Sequence, residues 1–391
     1  MRKRPNGSRR ALVVARWPVG GIRTYVLYNY PALRDAGWQF TFVGPADDLF
    51  RAFARDLRDW DGSEFVEAPL RGKRCRLAGT VREQLRTGRF GLMHSQGVTA
   101  AAQAVWANRG LRVPHIATAH DVFRPVQVAG ARGWARLWLL GRLLRRLDAL
   151  IACGQDVRAN LLEYLPAIES NGCRVVTIRN GIDVDRFIPA SESQYLSTDL
   201  RRRLGVSSDV RLLGFLGRFM EQKGFLHLLD ALQLLNSRRT ATPFRVVAVG
   251  SGDYEREYRA EVERRRLTNI VSFLGFTPDV GPIMRQLDVL VMPSLWEACP
   301  LLPMEAMVMG VPVLGSDCIG LREVLRDTPS MVAPAGDANA WSGALEQAIA
   351  RPWKEQARAF ANEARRRFDV TRAAETLVQV FEENARTAVA V

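Results

Sequence analysis

The sequence lacks the features that mark several common classes of protein. Its five cysteines, Cys75, Cys153, Cys173, Cys299 and Cys318, are scattered, with no two-residue spacing and no histidine pair beside them. A disulfide framework and a zinc site are both excluded on that pattern, and a reducing cytoplasm fits it. No apolar stretch approaches the roughly 20 residues of a membrane span, and Ala11 to Ala15 is too short for a signal-peptide core. Lysine is scarce: of 55 basic residues only Lys3, Lys73, Lys223 and Lys354 are lysines, so each one stands out.

What is present points to a soluble two-domain chain, at most peripherally attached to a membrane. With 391 residues and 47% hydrophobic content, two α/β domains of about 150–200 residues, each with its own core, are expected. The net charge of +14 allows nucleic acid, an anionic membrane surface or phosphorylated substrates as partners. The basic residues are spread throughout, with no aromatic-interleaved strand platform, so nucleic acid is set aside. Residues 1–10 read as a basic tail and Ala11 to Trp17 as a buried strand. Pro18-Val19-Gly20-Gly21 follows, then a helix to about Ala36 and a second strand, Trp38 to Val43. Glycines at such a strand-to-helix turn admit a ligand phosphate or sugar close to the backbone. The turn lacks the full Gly-x-Gly-x-x-Gly, which disfavours a dehydrogenase.

The most informative stretch is Pro293 to Pro312. Leu287 to Met292 enters it as a buried strand, and Pro293, Pro300 and Pro303 forbid a continuous helix, so Ser294 to Leu302 forms a loop. Pro303 suits the start of a short helix and Gly310 its left-handed C-terminal cap. Two carboxylates, Glu297 in the loop and Glu305 in the first helical turn, have seven residues between them. The same spacing recurs at Glu255/Glu263, Glu355/Glu363 and Glu375/Glu383, all in polar helix-like segments. Only the 297/305 pair spans a proline-bounded loop and a helix start, where an open parallel sheet presents a helix N-terminus to a ligand.

Pro293, Ser294, Glu297, Glu305, Ala306, Met307, Gly310, Pro312 and Val313 together match a signature. On these residues the chain resembles the retaining glycosyltransferases of family four (glycosyl transferases group 1), which have the GT-B fold. The resemblance implies two Rossmann-like, doubly wound parallel-sheet domains facing a cleft. It places the acceptor-side domain at 1–190, completed by a C-terminal helix at about 372–391, and the nucleotide-sugar-binding domain at 191–371. It implies that Glu297 meets hydroxyls of the donor sugar and Glu305 the ribose of the nucleotide. A carboxylate can accept two hydrogen bonds and clamp a vicinal diol.

Other matches follow the chain. The Gly20-Gly21 turn is similar to the family's N-terminal glycine turn. Val113 to His120 reads as a strand, and the resemblance assigns His120 at its C-terminal end to the donor sugar; Phe90 to His94 also reads as a strand, and His94 at its end is a second, weaker candidate. Arg174 to Ile178 leads into Asn180-Gly181-Ile182-Asp183 with Phe187 beyond, similar to the turn that closes the family's N-terminal domain. Ser191 to Asp209 reads as the interdomain linker. Strand Arg211 to Gly217 then runs into a loop whose Gly217-Arg218 and Lys223-Gly224 match the cations that grip the donor diphosphate. Arg218 and Lys223 at a helix start make a complete anion site. Gly250 and Phe276 follow strands and resemble the edge of the nucleotide site, and Cys299, Leu301 and Leu302 complete the donor contacts. The resemblance implies no metal and no cofactor; its catalytic set is His120, Glu297, Arg218 and Lys223. The partners expected are a nucleotide-sugar donor and a glycan or lipid-linked acceptor, in surface polysaccharide (lipopolysaccharide-type) synthesis.

Arg132 to Leu150 carries Trp134, Leu137, Trp138, Leu144 and Leu147 at helical spacing among Arg136, Arg142, Arg145 and Arg146. Such a basic amphipathic helix could lie on an anionic membrane. Two rival functions stay open: a metal-dependent glycosyltransferase using Asp183 and Asp185 around a cation, and a non-catalytic nucleotide-sugar-binding protein. Where the family's loop after the first Glu is most often Gly-Phe-Gly, this chain has Ala298-Cys299-Pro300. Pro300 removes a backbone donor that could have reached the sugar.

Overall fold

The computed structural model describes residues 9–72, 74–169, 172–188, 200–238, 242–351 and 353–387. Residues 1–8 of the expected basic tail and 191–199 of the expected linker lie outside them. The chain divides into two compact units, Met1–Gly181 with Val370–Val391, and Ile182–Asp369. The division expected from the sequence lies at 190/191 and 371/372.

The first unit holds β1 (Arg10–Ala15), β2 (Gln39–Pro45), β3 (Glu64–Ala68), the short antiparallel pair β4 (Leu70–Arg71) and β5 (Arg74–Cys75), β6 (Leu92–Gln96), β7 (His115–Ala119), β8 (Ala149–Ala152) and β9 (Arg174–Thr177). Seven of these form one parallel sheet ordered β3-β2-β1-β6-β7-β8-β9. Val13 registers with Phe42 of β2 and with His94 of β6. The order reverses between β1 and β6, which creates a switch point outside their carboxyl ends. Both faces are covered, and the central strands read as nearly continuous apolar runs, as parallel strands must when no face meets water. The last helix, Thr371–Thr387, belongs here: Leu377, Val380 and Phe381 join the core formed by Val13, Tyr30 and Phe42.

The second unit holds β10 (Arg211–Leu216), β11 (Phe244–Val249), β12 (Val271–Leu274), β13 (Val289–Met292), β14 (Val313–Ser316) and β15 (Met331–Ala333), in a parallel sheet ordered β12-β11-β10-β13-β14-β15. Its switch point lies between β10 and β13. Phe215, Phe219, Phe225 and Tyr258 pack in its core with Leu228, Leu232 and Trp341.

Three expectations need correction. The helix expected over Arg132–Leu150 is Gly130–Leu144, and Ala149–Ala152 is β8, paired with β7 and β9. Leu147 fits the helical period by coincidence: it lies in the turn between the helix and β8. The expected linker ends early: Leu200–Leu204 is helical, Leu200 is buried, and its backbone N–H donates to Gln286 Oε1 at 2.7 Å. His94 lies in mid-strand rather than at a strand end. Among the described residues no helix is long and apolar enough to cross a membrane.

Candidate functional site

Three loops at the carboxyl end of the second sheet build the site: 217–224 after β10, 293–301 after β13 and 317–320 after β14. Their backbones pack directly on one another, and two glycines permit it. A Cβ on Gly224 (φ +67) would lie 1.9 Å from the Pro293 carbonyl oxygen. One on Gly320 (φ +78) would lie 2.2 Å from that of Ala298. Neither the space nor the left-handed backbone suits any other residue. Leu295 N–H donates to Gln222 O at 2.8 Å and Glu297 N–H to Ile319 O at 3.0 Å, tying the loops together.

Glu297 sits at the junction, 5% exposed. Lys223 Nζ donates to its Oε1 at 2.7 Å and Ser294 Oγ to the same oxygen at 2.8 Å. Gln222 Nε2 lies 3.3 Å from Oε2 and 2.8 Å from the Trp296 carbonyl oxygen. The pair is compensated charge in a tight frame. An ammonium carries three N–H groups, so Lys223 keeps donors beyond the one spent on Glu297. Nothing in the sequence marked Gln222 or Gly320: their part depends on loops distant in the chain.

Glu305 is the contrast. It lies in the short helix Leu302–Val308, 9% exposed, and its carboxylate makes no hydrogen bond among the described residues. Burial pushes its carboxyl up to about 7; the Arg186 charge opposes that rise and Asp279 adds to it.

The remaining expected residues scatter in character. Arg218 is exposed and pairs with exposed Asp253 at 3.2 Å. Gly250 packs against the Gly217 carbonyl oxygen, which a Cβ would approach to 1.9 Å. Phe276 is 67% exposed. Cys299, Leu301 and Leu302 are partly buried on the loop and helix start beside Glu297. Asp183 precedes, and Asp185 lies within, the 3-10 turn Val184–Phe187. No group of three His, Cys, Asp or Glu side chains that could hold a metal occurs among the described residues.

In the first unit Gly20 (φ +53) precedes the helix Gly21–Asp35, and a Cβ on either Gly20 or Gly21 would meet nothing within 4 Å. Both glycines of that turn face open space. His120 follows β7, partly buried, with Nε2 2.6 Å from Gln96 Oε1 and its ring edge-on to Tyr25 at 4.9 Å. Burial pulls its imidazole down to about 3, so it is neutral at ordinary pH.

The chain is similar to known glycosyltransferases. Residues 197–367 match the family described as glycosyl transferases group 1, and residues 19–186 that described as glycosyltransferase family 4. The phosphatidyl-myo-inositol mannosyltransferase of Mycobacterium leprae is 29% identical over 381 residues, 93% of each chain. The D-inositol 3-phosphate glycosyltransferase of Jonesia denitrificans is 28% identical over 310 residues, 75% of this chain and 72% of that one. The crystal structure of Anabaena Alr3699/HepE in complex with UDP and glucose superimposes with a TM-score of 0.77. It is 22% identical and covers 96% of this chain and 99% of that one.

Proposed function

The chain belongs to the group 1 glycosyltransferases, with two parallel-sheet domains of the GT-B kind, and we propose that it is a retaining, metal-independent enzyme. In this reading it transfers a sugar from a nucleotide-sugar donor to a glycan or lipid-linked acceptor in surface-polysaccharide synthesis, at the cytoplasmic face of a membrane. The observation that carries it is the Lys223–Glu297 pair at the switch point of the second sheet, held by the loops after β10 and β13. Open α/β sheets bind ligands there. The UDP found with Anabaena HepE supports a nucleotide-sugar donor, and the lipid named in the mannosyltransferase relative supports a lipid-linked acceptor.

The roles follow from charge. As the glycosidic bond breaks, negative charge grows on the diphosphate, and Lys223 with Arg218 would stabilise it in place of a cation. Glu297 would accept hydrogen bonds from the donor sugar and Glu305 from the ribose diol. Gly250, Phe276, Cys299, Leu301 and Leu302 would border the nucleotide. Gly20 and Gly21 of the first unit would admit ligand backbone-close, and His120 would meet a sugar hydroxyl.

Thermal shift with a panel of UDP-, GDP- and other nucleotide sugars tests the donor. One of them is expected to raise Tm in EDTA-treated protein, and transfer with that donor should continue in EDTA. Turnover lost in EDTA and restored by Mn²⁺ or Mg²⁺ would overturn metal independence.

The membrane part rests on the helix Gly130–Leu144, whose Trp134 and Trp138 are 65% and 52% exposed among arginines. The Arg142 guanidinium lies 4.9 Å over the Trp138 ring, an arrangement suited to a headgroup layer. Flotation should favour anionic over zwitterionic vesicles, and equal binding to both removes this part.

A further inference from the structure

A buried chain of hydrogen bonds runs from His120 into the first core. His120 Nε2 lies 2.6 Å from Gln96 Oε1, and Gln96 Nε2 lies 2.8 Å from Tyr30 Oη. Tyr30 Oη lies 2.7 Å from His94 Nδ1, and His94 Nε2 lies 2.8 Å from Thr118 Oγ1. Tyr30, His94, Gln96 and Thr118 are all sealed from solvent. Every proton in such a chain must point the same way, and one amide decides which.

Gln96 Nε2 is 3.3 Å from His94 Nδ1 and 3.5 Å from His94 Nε2. An atom in the ring plane at those distances would collide with the carbon between the two nitrogens. The amide nitrogen therefore lies over the ring face, as expected for residues two apart on one strand. An N–H there meets the π cloud favourably; the flipped amide would set oxygen lone pairs against it. With the nitrogen so fixed, Oε1 is the atom facing His120, and a carbonyl oxygen only accepts. His120 must then carry its proton on Nε2. The remaining bonds agree: Tyr30 accepts from Gln96 and donates to His94 Nδ1, leaving His94 Nε2 to donate to Thr118. His120 Nδ1 makes no hydrogen bond among the described residues and is not among the buried polar atoms.

We infer that Gln96 is a positioning residue that fixes His120 as its Nε2–H tautomer and leaves Nδ1 as a lone-pair acceptor for a hydroxyl of the substrate. This rests on the proposed role of His120 towards the sugar. It adds that the group met there must be a hydrogen-bond donor, not a phosphate oxygen, and that His120 receives a hydrogen bond without supplying a proton. Burial keeps both His94 and His120 neutral, consistent with this proton order.

The chain has four histidines, so long-range ¹⁵N–¹H correlation on the ¹⁵N-histidine-labelled full chain can be assigned with single substitutions such as His120→Gln. The expected spectrum places the His120 proton on Nε2 from pH 6 to 8. Gln96→Met removes the acceptor: the His120 signal should become a tautomer mixture and kcat should fall about tenfold, the worth of one such hydrogen bond. Gln96→Glu keeps an accepting oxygen, so the Nε2–H form should persist. Its added charge should raise the pH at which His120 titrates and give the rate profile a new limb. A proton on Nδ1 in the wild type, or an unchanged Nε2–H signal in Gln96→Met, overturns the inference. If Gln96→Met does not fold, the wild-type spectrum and Gln96→Glu decide. If the tautomers behave as expected but His120→Gln keeps full turnover, the sugar role of His120 fails while the hold of Gln96 on the ring stands.

Discussion

Glu297 and Glu305 lie on one stretch of chain and are buried to nearly the same degree, yet the protein treats them in opposite ways. Glu297 is surrounded by donors from two loops, including the Lys223 ammonium at 2.7 Å. Glu305 has no such donor among the described residues, and burial pushes its carboxyl up to about 7. A compensated carboxylate is a fixed part of the frame. A carboxylate that no donor reaches keeps its acceptor sites for a ligand, in the proposed role the ribose diol. Similar burial therefore leaves the two carboxylates in different surroundings, set by the donors that the fold places beside each.

The largest effect that would sharpen this contrast comes from Lys223→Ala. Loss of the ammonium should lower turnover roughly 10²- to 10³-fold, about 2.7–4 kcal/mol, because its proposed work is on charge that develops in the transition state. It also leaves Glu297 buried without its cation, at a cost of about 3 kcal/mol of stability. Steady-state kinetics and denaturant titration on the same sample separate the two. Turnover unchanged while only KM rises would break the assignment. For Glu305→Ala the split should reverse, with KM raised and kcat nearly constant, since ribose hydroxyls do not change charge during transfer.

Glu305→Gln tests the other half. The carboxyl in the folded protein titrates at about 7 against an ordinary value of 4.5. A raised value means the folded state holds its proton more tightly, so this contribution is intact below about pH 4.5 and lost as pH rises through about 7. The neutral amide avoids that loss. Glu305→Gln should match the wild type in stability near pH 4 and exceed it by about 3 kcal/mol at pH 8. A difference that does not vary with pH would show that burial does not raise the Glu305 carboxyl.

A smaller effect should come from Gly320→Ala. The new Cβ would meet the carbonyl oxygens of Ala298 and Glu297 at 2.2 and 2.4 Å, forcing the loop of Glu297 to shift while leaving the helix of Glu305 in place. We expect a loss of about 1–3 kcal/mol, read as a lower Tm, and weakened transfer. Unaltered kinetics would mean that the frame around Glu297 tolerates displacement.

The residues themselves determined a great deal. The proline-bounded loop and short helix at 293–312 and the glycine turns could be read directly, because prolines and glycines act on their own backbone. So could the apolar runs of the parallel strands. The signature around Glu297 and Glu305 carried the family on local residues alone. Tertiary structure decided what local rules cannot reach. It alone made Ala149–Ala152 a strand between β7 and β9 and brought Gln222 and Gly320 to Glu297 from two other loops. It also left the Glu305 carboxylate without a hydrogen-bond donor among the described residues and placed Gln96 between His120 and a buried tyrosine. Each of these is a contact between segments far apart in the chain, and the energy of a buried charge or hydrogen bond depends on what the fold places opposite it.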